Sequence, residues 1–220
     1  AGKRRKGMVE FIMKIYDISM SIHRQMPVYK GREHKRPVIT NDSNFSNSTV
    51  YESRIEMNLH TGTHIDSPLH MIENGSNMDF LNLKDLIRNC KVLDFKRIED
   101  KITAKDLQTK DIAPGDFVLL KTRNYFSDIL ETDFIYLDAS GAIYLSNIGI
   151  EGVGIDALGI ERDQAGHETH KTLMKADIII LEGLRLADVD EGTYFLFAAP
   201  LKIAGVEAAP VRALLLDKEV

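Results

Sequence analysis

Positions 60 to 70 read HTGTHIDSPLH, three imidazoles and a carboxylate within eleven residues, separated by Gly, Pro and small side chains. Divalent metals take lone pairs from neutral imidazole and from carboxylate, and His60, His64 and Asp66 offer two nitrogens and a carboxylate. Gly62 permits the bend that brings residues 60 and 64 together. Residues 64 and 66, two apart in extended chain, point the same way, and Pro68 favours an extended Ser67 and stiffens the exit. Two His and one carboxylate leave coordination positions open, as a catalytic rather than a structural site requires. The plain alternative is a surface loop with incidental histidines. That three of the chain's seven histidines share this stretch argues against it.

A second cluster lies far downstream in HETHKTLMKADIIILEG. His167 and His170 fall near the start of an expected helix and Glu182 near the end of the strand after it. Helix starts and strand ends meet at one edge of an α/β sheet, where such proteins commonly bind ligands. Spacing alone leaves two readings open here. The histidines can cap and solvate the helix, and Glu182 can pair with Arg185, as readily as either can serve a site.

The elements that must position these residues follow from periodicity. KIYDISMSI reads as a strand, and the polar stretch after it, rich in Pro, Asn and Ser, as loops. In YESRIEMNLH, Tyr51, Ile55, Met57 and Leu59 share one face and Glu52, Arg54, Glu56, Asn58 and His60 the other, which predicts a strand with a polar row closed by His60. MDFLNLKDLIRN places Phe80, Leu83, Leu86 and Ile87 at helical spacing, with Asn77 or Asp79 to cap. CKVLDF, FVLLK, VGID, DIIILEG, TYFLFAAPLKI and APVRALLLD read as strands. TAKDLQTK, DASGAIYLSNIG and HETHKTLMKA read as helices, the first started by Thr103 and the second ending near Gly149. Strands dominate both ends and alternate with helices in the middle, so the expected fold is mixed α/β around a mixed central sheet.

Bulk properties narrow the function classes. At 220 residues, with 44% hydrophobic and 28% charged residues and no repeat or long linker, one globular domain over 13–220 is expected. The opening AGKRRKG has no apolar run behind it, so residues 1–12 read as a tag remnant or disordered tail, with a native start at Met8 or Met13. A formal charge of −5 without a basic face argues against nucleic acid as a partner. No apolar run approaches the roughly 20 residues of a membrane span. A lone cysteine points to a reducing, cytoplasmic setting.

The motif stands complete as His60-Thr-Gly62-Thr63-His64-Ile-Asp66-Ser-Pro68-Leu-His70, and with it the chain resembles the cyclase-like metal-dependent hydrolases, which include bacterial kynurenine formamidases and isatin hydrolases. IYDIS near the start, GIDALGIE at 154–161, HKTLM leading to IIILEGL, and APLKIAGVEAAPVRALLL at the end follow the same family in order. The resemblance implies a swivelling β/β/α-type single domain, assembled as a homodimer or homotetramer, with one or two zinc or manganese ions. By position it makes His60, His64 and Asp66 the first ligand group and His170 and Glu182 the completing pair, with Asp66 or Glu182 bridging. His70 becomes the general acid/base, while His167, which the resemblance does not assign, is read only as a supporting neighbour. It further implies hydrolysis of a non-peptide amide C–N bond by metal-bound hydroxide. N-formylkynurenine, giving kynurenine and formate, is the first substrate, a cyclic amide such as isatin the second, and a non-catalytic metal binder the remaining alternative. Met71 stands where the family often has Phe, and the chain has no Trp, although formamidases of aryl substrates tend to use aromatic walls.

Two rival motifs are weaker. GVGIDA at 152–157 fits a dinucleotide-binding pattern, but it lies inside an expected strand rather than in the turn after one. Cys90 sits before an apolar strand, where a small buried and inert residue is expected.

Overall fold

The computed structural model describes residues 13–125 and 130–218. The expected tail at 1–12 lies outside these residues. Twelve strands and three α-helices follow in order: β1 (Met13–Asp17), β2 (Val38–Ser43), β3 (Glu52–Glu56), β4 (His64–Asp66), β5 (Ile87–Asp94), β6 (Lys101–Ile102), α1 (Ala104–Leu107), β7 (Phe117–Lys121), β8 (Tyr136–Leu137), α2 (Ala139–Ile148), β9 (Gly152–Ile155), α3 (Glu168–Lys175), β10 (Ile179–Glu182), β11 (Gly192–Pro200) and β12 (Ala208–Lys218).

The central sheet runs β1-β12-β11-β5-β7-β9-β10-β4, and β4 also pairs with β12. That second pairing closes seven strands into a barrel-like ring with β1 on its edge. β5, β7, β9 and β10 are parallel and the remaining pairs antiparallel, so the sheet is mixed as expected. Side chains alternate across it. Cys90, Val92, Phe117, Leu119, Leu181 and Leu215 fill one cluster. Leu93, Val118, Leu120, Val153 and Ile180 face another, which Leu107 of α1, Leu145 of α2 and Leu173 of α3 cover. Gly152 and Gly154 are spaces for this packing. A Cβ at Gly152 would stand 2.2 Å from the Phe117 ring, and one at Gly154 2.6 Å from Leu119. The glycines of GVGIDA therefore serve strand packing inside β9, and burial pushes the Cys90 thiol up to about 12.

Helix capping bears out the middle of the chain. Thr103 and Asp106 form a reciprocal capping box on α1, and the Asp138 carboxylate accepts from Gly141 N at the start of α2. Two expectations fail. Residues 78–87 form no helix: Met78–Phe80 and Leu83–Asp85 are separate single 3-10 turns, and Ile87 already belongs to β5. Asn77 and Asn82 each accept from the backbone two residues on, so each starts its own turn and the second interrupts the first. The strand over 51–60 stops at Glu56 and pairs only with β2, leaving His60 in a turn beyond it. Val38, Tyr51 and Ile55 of this hairpin, and Phe45 in its loop, are exposed. Among the described residues no helix is long and apolar enough to cross a membrane.

Candidate metal centre

The ring closure that completes the barrel also assembles the site. In the antiparallel pairing of β4 with β10, His64 stands opposite Glu182, and Asp66 opposite Ile180. The approach is tight at the backbone. Gly183 has φ +71°, and a Cβ there would lie 2.2 Å from the Gly62 carbonyl oxygen. The buried Thr63 hydroxyl locks the contact, donating to Gly183 O at 2.6 Å and accepting from Met20 N at 2.8 Å. This is a physical reason for small residues and a Thr in the signature.

His64 Nδ1 lies 2.9 Å from Gly62 O. Donation there leaves the Nε2 lone pair facing 3.4 Å to Asp66 Oδ1 and 3.3 Å to Glu182 Oε2. His170, on the first turn of α3, brings its Nε2 3.5 Å from Asp66 Oδ2 and 3.2 Å from Glu182 Oε1. His60 Nδ1 is 2.9 Å from Asp66 Oδ1, and its Nε2 is 3.6 Å from Glu207. Glu182 Oε1 also accepts from Ile160 N at 2.5 Å. All five residues expected to hold a metal therefore converge.

His70 ends a 3-10 turn over Pro68–His70 and borders the same group, its ring centroid 4.0 Å from that of His60 and 5.7 Å from that of His170. One of its ring nitrogens lies within 4.8 Å of an Asp66 carboxylate oxygen and of a His170 ring nitrogen, so it stands against the cluster rather than clear of it. His167 sits at the N-cap of α3 in the left-handed region, φ 53°, with its Nδ1 2.7 Å from Glu161.

Glu161 is the residue that sequence reasoning missed. It is buried, accepts from Thr169 N at 3.0 Å and His170 N at 3.4 Å, and lies 2.9 Å from His170 Nδ1. It thus positions the histidine from behind, as carboxylates commonly do for metal-ligating imidazoles. Its only sequence signal is an acid six residues before His167, at the end of GIDALGIE.

The residues fit a divalent cation on three counts. His64 Nε2, His60 Nε2 and both Asp66 oxygens are buried without a well-directed hydrogen bond, an arrangement that costs energy unless another partner is supplied. The spacings of 3.2–3.5 Å between donor atoms match the roughly 3.4 Å that separates ligands about 2.1 Å from one tetrahedral ion. Charge points the same way. Burial alone would lower His64, but Asp66 and Glu182 push it up to about 10. Burial and the Asp66 charge would raise Glu182, yet His170 and His64 hold it at about 2. Two buried carboxylates thus demand compensating positive charge in one place.

His60, His70, His170 and Glu182 line a cleft of about 350 Å³, together with Val28, Tyr29, Met71, Leu158, Lys35 and Glu207.

Comparison with known proteins agrees with this geometry. The Cyclase family model matches residues 16–162. A kynurenine formamidase of Sphingopyxis alaskensis is 31% identical over 208 residues, covering 92% of this chain and 97% of its own. The solved structure of a predicted metal-dependent hydrolase from Bacillus stearothermophilus is 52% identical, with a TM-score of 0.85, over 94% of this chain and 99% of that one. Isatin hydrolase A from Labrenzia aggregata shares the fold, at a TM-score of 0.81 and 23% identity over 94% of both chains. The match to the family model spans more than half the chain and includes the whole histidine motif, and the chain belongs to the Cyclase family.

Proposed function

We propose that this chain is a metal-dependent hydrolase of a non-peptide amide C–N bond, with an N-formyl arylamine of the N-formylkynurenine kind as its substrate. One observation carries the reading: donor atoms from the short strand β4 and from a distant helix–strand pair converge at metal-ligand spacing beside an open cleft that His170 and Glu182 line. The formamidase relative, alike along nearly its whole length, supports the substrate class more strongly than the isatin hydrolase, whose likeness extends to the fold.

In this reading His60, His64, Asp66, His170 and Glu182 hold one or two divalent ions, zinc or manganese. Such an ion supplies Lewis acidity toward a carbonyl and makes water acidic enough to react near neutral pH. The protein's own groups do the rest. His70 lines the cleft beside the donors, and burial, aided by the nearby His60 and His170, takes it down to about 4 against the pull of Asp66 and Glu182. It is therefore neutral at pH 7, the form that accepts a proton from attacking water and passes it to the departing nitrogen. Neither step needs a nucleophilic side chain, and the products are an acid and an amine. The apolar walls exclude bulk water around the amide, and Glu161 fixes the His170 ring. The exposed apolar side chains of the β2–β3 hairpin support assembly into a dimer or tetramer, and the buried, unpaired Cys90 suits a reducing cytoplasm.

The test is hydrolysis of formanilides and small cyclic amides after metal reconstitution. Turnover that chelators abolish is expected. His70→Ala is expected to keep the metal, by elemental analysis, while losing about a hundredfold or more in rate. Full activity in that variant removes His70 from the proton-transfer role, and chelator-resistant turnover overturns the metal reading.

A further inference from the structure

Resting on the hydrolase reading, we infer that Lys35 anchors a carboxylate carried by the substrate at the end away from the scissile amide, so that this cleft selects anionic amides over neutral ones.

The argument begins with charge. Among the described residues Lys35 is the one Lys or Arg that lines the cleft. Three glutamates line it too, each beside imidazoles: Glu161 faces His167 and His170, Glu182 faces His64 and His170, and Glu207 stands 3.6 Å from His60. None of them, nor any other described carboxylate, lies within 4.0 Å of the Lys35 ammonium. Two neighbouring cations already have carboxylate partners. Lys30 pairs with Asp163 at 2.6 Å, and Arg36 with Glu33 and Glu131 at 3.0 and 3.2 Å. Lys35 is half-buried, and its ammonium is pulled below the usual lysine range, first by burial and then by the Arg32 charge. Among the described residues this partly desolvated cation has no carboxylate partner, and an anionic ligand group relieves the cost of leaving it unpaired.

Placement supplies the second strand. Lys35 ends a 3-10 turn, Glu33–Lys35, with its ammonium 5.7 Å from the centre of the Tyr29 ring. That segment is held against the body at several points. Lys30 N donates to Glu131 O at 2.9 Å, Val28 N to Glu131 Oε1 at 3.0 Å, and Asp163 N to the Tyr29 hydroxyl at 3.2 Å. Arg36 also donates to Met26 O. The cation is thus presented by a pinned turn rather than a free loop, which lowers the ordering cost of binding. The cleft that Lys35 shares with His60, His70, His170 and Glu182 also has apolar lining, Val28, Met71 and Leu158, with Tyr29 the one Phe, Tyr or Trp among the lining residues. A substrate that fits has its amide at the floor, an apolar body and a negative group at the far end.

The experiment compares three amides on the metal-loaded enzyme: neutral formanilide, and 3- and 4-formamidobenzoate, whose carboxylates stand across the ring from the amide. The expected result is kcat/KM about tenfold or more higher for the better formamidobenzoate than for formanilide. Lys35→Met is expected to erase that preference through KM, while formanilide turnover stays within about twofold and so reports an intact fold and metal site. Lys35→Arg is expected to restore most of it. An equal preference in wild type and Lys35→Met, or none in wild type, overturns the Lys35 assignment and leaves the hydrolase reading standing. Failure of the metal-loaded enzyme to cleave any of the three overturns both.

Discussion

Thr63→Val tests the lock that joins the histidine loop to the barrel. Valine has nearly the shape of threonine, so at this buried position it opens no cavity and isolates the hydroxyl's contribution. Two bonds disappear. Gly183 O loses a donor at 2.6 Å and Met20 N an acceptor at 2.8 Å, both in the interior. Each buried polar group left unmade costs about 1–3 kcal/mol, so the pair is worth about 2–5 kcal/mol after the apolar gain from the methyl. For a chain of this size a change near 3 kcal/mol lowers Tm by about 6–12 °C. Thr63→Ser keeps both bonds, gives up one buried methyl group and is expected to cost only about 1 kcal/mol. The measurement is urea unfolding of metal-free protein, since a bound ion would add its own linkage to the midpoint. If Thr63→Val falls within about 1 kcal/mol of wild type with an unchanged m-value, the hydroxyl does not fasten Gly62 to Gly183, and the account of how the site closes is wrong.

Two further outcomes follow from buried carboxylates. Glu161→Gln removes the charge behind His170 while keeping an oxygen for Thr169 N. Metal affinity is expected to drop about 10- to 100-fold in a chelator competition, with little change in metal-free stability. Asp156 is buried at the end of β9, and burial raises its carboxyl to about 6 despite bonds from Thr122 at 2.7 and 2.8 Å. A folded pKa above the unfolded value near 3.8 means stability that is fully present below about pH 4 and lost as pH rises through about 6, roughly 3 kcal/mol in all. Asp156→Asn is expected to flatten that loss, so unfolding free energies of variant and wild type measured between pH 4 and 7.5 should diverge in the variant's favour as pH rises.

What the sequence revealed of the site, and what it hid, divides along one physical line. His60, His64 and Asp66 were legible because their relation is local: a bend at Gly62 and a two-residue alternation suffice to bring them together. His170 and Glu182 lie more than a hundred residues on, and spacing left them ambiguous. Their place depends on β4 pairing with β10 on one side and β12 on the other, and no periodicity in a three-residue strand announces its partners. Glu161 and Lys35 stayed hidden for the same reason, since an isolated acid and an isolated lysine acquire meaning only from what the fold sets beside them. The failed helix at 78–87 shows the converse. Its apolar spacing was real, but Asn77 and Asn82 offered the backbone local hydrogen bonds that a continuous helix could not match, and pairing claimed Ile87 for β5.

The short strand β4 is where these lines of argument meet. Its three residues are fully buried, and its flanking strands hydrogen-bond it on both edges, so His64 and Asp66 are fixed by backbone registers rather than by side-chain packing. A side chain on such a strand cannot relax toward solvent when its partners are removed, and the carboxylate–imidazole cluster stays assembled at its own electrostatic cost. The open side of that cluster faces the cleft, where His70, His167 and Lys35 sit on turns and a helix cap instead of strands. Strand-borne His64, Asp66 and Glu182 below, and loop-borne proton-transfer and charge-reading groups above, are the division of labour expected when one scaffold must hold an ion tightly and still vary what it cleaves. Substitutions of Lys35 should therefore change substrate preference while leaving metal content intact, and substitutions of His64 or Asp66 in β4 should do the reverse.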